Sequence, residues 1–236
     1  MHYFWKMKAV ISGATRGIGK AIAKKLVLLG YDVVLLARNQ EDLEQCKLEL
    51  SKPKLSVEIL SIDLSEENVE HKLKENASIF KDTCILINNV GSYSMQNGAN
   101  IDLRILKDQM NVNLYSSIAL TQQILKQDTE AQVQNIINIA SVMSLKATSF
   151  AADYSMSKHA FKAWNDALRE ELRNSGKKVS AIYPGSVNTS SWDGLDVNRS
   201  EMIQAEDVAE IVSCVLTMKK NTLLEEIHVS PVTFKP

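Results

Sequence analysis

The chain has 236 residues, 45% of them hydrophobic and 23% charged, which excludes disordered, collagen-like and mucin-like classes. Twenty-seven Lys and Arg stand against 28 Asp and Glu, a net charge of −1, so no basic excess exists to neutralise a nucleic-acid backbone. The opening twelve residues lack the apolar core and cleavage site of a secretory signal, no run of about 18 apolar residues occurs, and Cys46, Cys84 and Cys214 lie far apart without a CxxC. The expectation is one soluble, cytoplasmic domain with reduced thiols and neither a nucleic-acid nor a membrane partner.

Along the chain, short β-rich runs alternate with longer stretches of helical spacing. A strand is predicted over 8–12, followed by a helix whose Ile18, Ile22, Leu26 and Leu29 share one face and which stops at Gly30. Strand 32–37, helix 42–50, strand 55–61, helix 66–79 and strand 84–87 come next. A long helix over 101–126, strand 135–140, helix 153–174 and strand 178–183 follow, then helix 205–218 and strand 226–230. Segment 186–204 has no periodicity, and so long an irregular stretch in a compact domain is usually functional. Seven strands alternating with six helices imply an α/β fold, a Rossmann-type doubly wound parallel sheet covered on both faces.

The first strand runs directly into Ser12-Gly13-Ala14-Thr15-Arg16-Gly17-Ile18-Gly19 and then a helix. Glycines at 13, 17 and 19 permit a tight turn, close approach of backbone to a pyrophosphate, and close helix packing. The helix start offers free N–H groups and a positive dipole end to the phosphates. An acid about 20 residues on would hold the ribose 2′-hydroxyl of NAD(H). Here Arg38 lies 19 residues past Gly19, and Arg16 sits in the loop itself, so NADP(H) is expected over NAD(H) through guanidinium contacts to a 2′-phosphate.

Tyr154 and Lys158 stand at i and i+4 on a predicted helix and share one face, thirteen residues after Ser141 at the end of the fifth strand. A nearby ammonium favours phenolate, which predicts a tyrosine pKa below its ordinary value of about 10. Ser141 falls at the carboxyl edge, where such sheets bind ligands.

Together these residues resemble the classical short-chain dehydrogenase/reductase family. The glycine loop is similar to its TGxxxGxG, with Ser12 for Thr, and Asn88-Asn89-Val90-Gly91 to its NNAG, with Val90 for Ala. Asn113, Ser141, Tyr154 and Lys158 match the family's catalytic tetrad. Tyr183-Pro184-Gly185-Ser186-Val187-Asn188-Thr189 matches PGxVxT beside the nicotinamide, and Asp63 in Ile62-Asp63-Leu64 the Asp beside the adenine.

The resemblance implies a carbonyl–alcohol oxidoreductase. Tyr154 would give a proton to the carbonyl oxygen, Ser141 would hydrogen-bond the same oxygen, and Asn113 would brace a proton relay. Lys158 would hold the nicotinamide ribose and lower the tyrosine pKa. Thr15, Ile18, Leu64, Asn89, Gly91, Pro184, Gly185, Val187 and Thr189 would join the glycines, Arg16, Arg38 and Asp63 around the cofactor. A homodimer or homotetramer through helices 101–126 and 153–174 is implied, with a small carbonyl or alcohol as substrate, 3-oxoacyl thioesters among the options.

Met95, Met143 and Trp192 are candidates for the substrate pocket, because pockets are mostly apolar. His2, His71, His159 and His228 are scattered without metal-ligand spacing, so no metal is expected. Two rival readings are weaker. An NADP(H)-sensing protein without chemistry would not need Ser141, Tyr154 and Lys158 together. A sugar-nucleotide epimerase would need more than the 51 residues (236 − 185) that follow Gly185.

Overall fold

The computed structural model describes residues 7–128 and 132–233. His2 lies outside them. β1 (Lys8–Ser12), β2 (Asp32–Ala37), β3 (Val57–Ser61), β4 (Thr83–Asn88), β5 (Asn135–Ile139), β6 (Lys178–Pro184) and β9 (Glu226–Val229) form one sheet in the order β3-β2-β1-β4-β5-β6-β9. Every pair is parallel. The order reverses between β1 and β4, and this reversal opens a crevice beyond their carboxyl ends.

Alternation along the strands sends neighbours to opposite layers. Ala9, Ile11, Val33 and Leu35 pack under α1 (Gly17–Leu28) and α7 (Ala205–Thr217), whose Ile22, Leu26, Val208 and Val212 are fully buried. Val10, Val34, Leu36 and Leu86 turn the other way, onto Leu73 of α3 (Val69–Glu75) and Leu120 and Ile124 of α5 (Ser116–Gln127). Burial on both faces explains why the strands read as unbroken apolar runs.

Three elements depart from the sequence expectations. The helix over 66–79 is only Val69–Glu75 and then a 3₁₀ turn, Ala77–Phe80, because Asn76 Nδ2 donates back to the Lys72 carbonyl at 2.9 Å. The helix over 101–126 splits into α4 (Leu103–Met110), a π turn at Asn111–Tyr115, and α5. Segment 186–204 is organised: β7 (Val187–Asn188) pairs in parallel with β8 (Ile203–Gln204), and 3₁₀ turns at Ser190–Trp192 and Arg199–Glu201 lie in the connection between them. Arg199 ties it together, donating to Asn188 Oδ1 at 2.8 Å, Asp193 Oδ1 at 2.9 Å and the Thr189 carbonyl.

α2 (Gln40–Leu50) covers the β3 side, and α6 (Ala152–Leu172) lies against β6. Buried Asn88 donates to Thr121 Oγ1 and Asn138 Oδ1, each at 2.9 Å, and Asn138 donates to Asn165 Oδ1 at 2.8 Å. This polar ladder ties β4, β5 and α6 together just below the ends that carry Asn89, Ser141 and Lys158.

Candidate active site

At the end of β1, Gly13 and Gly17 take φ of +64° and +51°, in the left-handed region. A Cβ on Gly19 would lie 2.1 Å from the Gly13 carbonyl, so only glycine lets α1 start this close to the strand. Ser12 Oγ accepts the N–H groups of Asn89 and Val90 at 3.0 and 3.1 Å, while Asn89 Nδ2 donates to the Ser12 and Gly13 carbonyls at 3.0 and 3.1 Å. Serine here does the bridging its hydroxyl permits, and the change from Thr leaves the turn intact.

The start of α1 has no side-chain cap and no acid in its first turn, whereas Asn39 caps α2 by accepting the Asp42 N–H at 3.0 Å. An uncapped end beside a glycine cradle fits an anionic pyrophosphate. The Thr15 carbonyl accepts from the Cys46 thiol at 3.5 Å, Ile18 packs against the core, and exposed Arg16 stands at the N-cap. The Thr189 methyl closes on Gly17, where a Cβ would come within 3.0 Å of it.

Arg38 directly follows β2 with its side chain 70% exposed, 3.9 Å from Asp63 Oδ2. An exposed pair this long is weak and leaves the guanidinium free to meet a second anion. Partial burial works against the Asp63 carboxylate, but hydrogen bonds from the Ser65 hydroxyl and N–H outweigh it with help from Arg38, and its pKa falls. Leu64 beside it is buried.

Ser141, Tyr154 and Lys158, the residues expected to handle the proton, meet where β5 and α6 approach the end of β4. Lys158 is 4% exposed and, among the described residues, donates one long hydrogen bond of 3.4 Å to the Ile139 carbonyl. Its Nζ lies 5.9 Å from the Tyr154 ring centroid and 5.1 Å from that of Phe161. Burial lowers the Lys158 pKa to about 8. Tyr154 departs from expectation. Burial raises its phenol to about 12, against a hydrogen bond with Ser141 that works downward, and electrostatic repulsion from the Tyr93 phenol adds to the rise. In the protein alone desolvation outweighs the downward pull of the Ser141 hydrogen bond.

Asn113, in the π turn, is fully buried and its side chain is committed. Oδ1 accepts the Ser92 N–H at 2.8 Å, and Nδ2 reaches the Ser92 carbonyl at 3.0 Å, with Gln109 Oε1 and Ser157 Oγ both at 2.9 Å. A Cβ on Gly91 would sit 3.2 Å from Asn113 Oδ1 and 3.7 Å from Lys158 Nζ, so a glycine is what fits between them.

Of the pocket candidates, Met143 gives its N–H to Ser141 Oγ at 3.1 Å, Met95 is exposed, and Trp192 is half-buried in its 3₁₀ turn. The contact to Tyr154 from the loop after β4 comes instead from Tyr93, edge-on with centroids 4.9 Å apart. Sequence reasoning missed Tyr93 and the buried Asp153, although an aromatic two residues past Gly91 was the available signal. Pro184 ends β6, the Gly185 N–H bonds the Val229 carbonyl at 2.8 Å, and Val187 is buried in the core. Among the described residues, no cluster of His, Cys, Asp and Glu could hold a metal, and no helix is long and apolar enough to cross a membrane.

Residues 7–199 match the family model described as short chain dehydrogenase. An uncharacterised oxidoreductase of Staphylococcus epidermidis is 30% identical over 225 residues, covering 95% of this chain and 96% of that one. An alcohol dehydrogenase from the archaeon Thermococcus sibiricus, solved with 5-hydroxy-NADP, superposes with a TM-score of 0.87 at 25% identity over 98% of both chains. A metagenomic short-chain oxidoreductase solved with NADP gives 0.81 at 27% identity, again over 98% of both. With its crevice, its Ser141–Tyr154–Lys158 cluster and these matches, the chain belongs to the short-chain dehydrogenase family of oxidoreductases.

Proposed function

We propose that this oxidoreductase interconverts a carbonyl and a secondary alcohol with NADP(H), using Tyr154 to move the proton. The observation that carries the reading is the meeting of Ser141, Tyr154 and a buried, under-bonded Lys158 at the mouth of the dinucleotide crevice. Bound NADP(H) supplies or receives the hydride; orientation and proton handling fall to the chain. With its pKa near 12, Tyr154 is protonated at neutral pH and poised to donate to a carbonyl oxygen. Ser141, bonded to the phenol, orients it and shares the oxygen. Lys158 stays mostly charged below about pH 8, and its spare N–H groups suit ribose hydroxyls. Asn113 holds Ser92, and so Gly91, in place beside the ammonium.

NADP(H) is supported over NAD(H) by exposed Arg38 with no acid at the end of β2, by Arg16 at the uncapped helix start, and by the NADP species in the two structural relatives. Thr15, Ile18, Leu64, Asn89, Pro184, Gly185, Val187 and Thr189 would complete the cofactor's surroundings. A dimer or larger assembly through α4, α5 and α6 is part of the proposal.

Tyr154→Phe tests it. The ring remains, so NADPH should bind as in wild type by fluorescence titration. Turnover on a carbonyl panel should fall by roughly 10²–10⁴-fold, the cost of a lost general acid. Turnover near wild type would remove Tyr154 from the mechanism. No turnover by wild type on any carbonyl, with NADPH bound, would favour a cofactor-binding protein instead.

A further inference from the structure

The loop from Asn89 to Ile101 enters the site without a single Asp, Glu, Lys or Arg. Two clamps hold it. Asn113 grips both the N–H and the carbonyl of Ser92, at 2.8 and 3.0 Å. Asp153, wholly buried one residue before the reacting tyrosine, accepts from the Ser94 hydroxyl and from Gln96 Nε2 at 2.9 Å, while the Ala152 N–H bonds the Gln96 carbonyl at 2.9 Å. Tyr93 lies between the clamps. Its ring meets that of Tyr154 with centroids 4.9 Å apart and planes at 74°, yet the residue stays 44% exposed. The other exposed large side chains of this loop and of 142–151 are Met95, Leu145 and Phe150, and Lys146 is the one charge in 142–151.

We propose that Tyr93 determines substrate specificity, favouring uncharged carbonyl compounds that carry an aromatic ring next to the carbonyl. This rests on Tyr154 being the group that meets the carbonyl oxygen. A carbonyl held there brings its flat substituent alongside a ring already fixed from both sides. A side chain ordered before the ligand arrives loses little further freedom on contact, so the aromatic interaction is retained as selectivity. Ring–ring contacts of this kind are worth up to about tenfold beyond the area they bury. Asp153 acts through the loop as a positioning residue, with its carboxylate held ionised despite burial by the donors from Gln96 and Ser94.

The test compares wild type, Tyr93→Ala and Tyr93→Phe on acetophenone and 2-butanone with NADPH. Tyr93→Ala should lower kcat/KM for acetophenone about tenfold and for 2-butanone less than about twofold, with NADPH affinity unchanged. Tyr93→Phe should restore the wild-type ratio, since the ring is what selects. An unchanged ratio in Tyr93→Ala, or equal losses on both ketones, would overturn the inference. A second measurement is independent of turnover: saturation-transfer NMR of acetophenone on the NADP⁺-saturated protein. Signal in wild type and Tyr93→Phe, lost in Tyr93→Ala, supports the aromatic wall. Equal signal in all three, or none in wild type, overturns it. Absence of turnover on either ketone with binding intact would instead count against the reductase reading alone.

Discussion

Replacing Lys158 by methionine should make the protein more stable at neutral pH while abolishing its activity. Burial brings the ammonium from its ordinary 10.5 to about 8, which corresponds to about 3 kcal/mol of penalty at pH 7. The rings of Phe161 and Tyr154, at 5.1 and 5.9 Å, offset about 1 kcal/mol of this by cation–π attraction. Methionine has similar reach, fills the same space and needs no hydrogen bonds, so Lys158→Met should gain about 2 kcal/mol. The pH dependence fixes the cause. Below about 8 both folded and unfolded chains hold the proton and the full penalty applies. Between about 8 and 10.5 the folded protein releases it first, so stability rises with pH and the penalty fades. Urea unfolding without cofactor, at pH 7 and at pH 10 and at one protomer concentration, measures both values. A variant less stable than wild type at pH 7, or a gap that persists unchanged at pH 10, would refute the reasoning.

Arg38→Asp should weaken NADPH and relatively favour NADH, a loss on the order of 2–5 kcal/mol if the phosphate contact is desolvated; steady-state kinetics with both cofactors measure it, and a wild type preferring NADH would refute the arginine argument. In the proposed mechanism alcohol oxidation needs the phenolate, and burial raises the Tyr154 pKa to about 12, so the oxidation rate should climb through the alkaline range. A plateau below about pH 9 would contradict the burial-raised pKa. Leu103, Ile105 and Tyr115 on the α4 side and Met156 on α6 are exposed apolar side chains, so light scattering should give at least twice the mass of one chain. A monomer at micromolar concentration would refute the assembly.

Periodicity alone determined a great deal here. The alternation of apolar strand runs with helical stretches specified a parallel sheet covered on both faces, because each element carries its own burial pattern in its own residues. The glycine loop was legible for the same local reason: positive φ at Gly13 and Gly17 and the tight start of α1 are demands on single positions. Tyr154 and Lys158 could be placed on one helix face from their spacing. What the sequence left undetermined depends on atoms distant along the chain. The continuous pattern over 101–126 gave no sign of the π turn, where Asn113 is drawn to Ser92, twenty-one residues away. Segment 186–204 lacked periodicity because Arg199, through Asn188, Thr189 and Asp193, supplies its order instead of a repeating face. Tyr93 and Asp153 are sixty residues apart and become parts of one wall only when the β4 loop folds onto the start of α6. The direction of the Tyr154 titration was a tertiary outcome too. Spacing puts a lysine near the phenol, but how far each is removed from water is set by the packing of both, and at Tyr154 desolvation outweighs the hydrogen bond with Ser141.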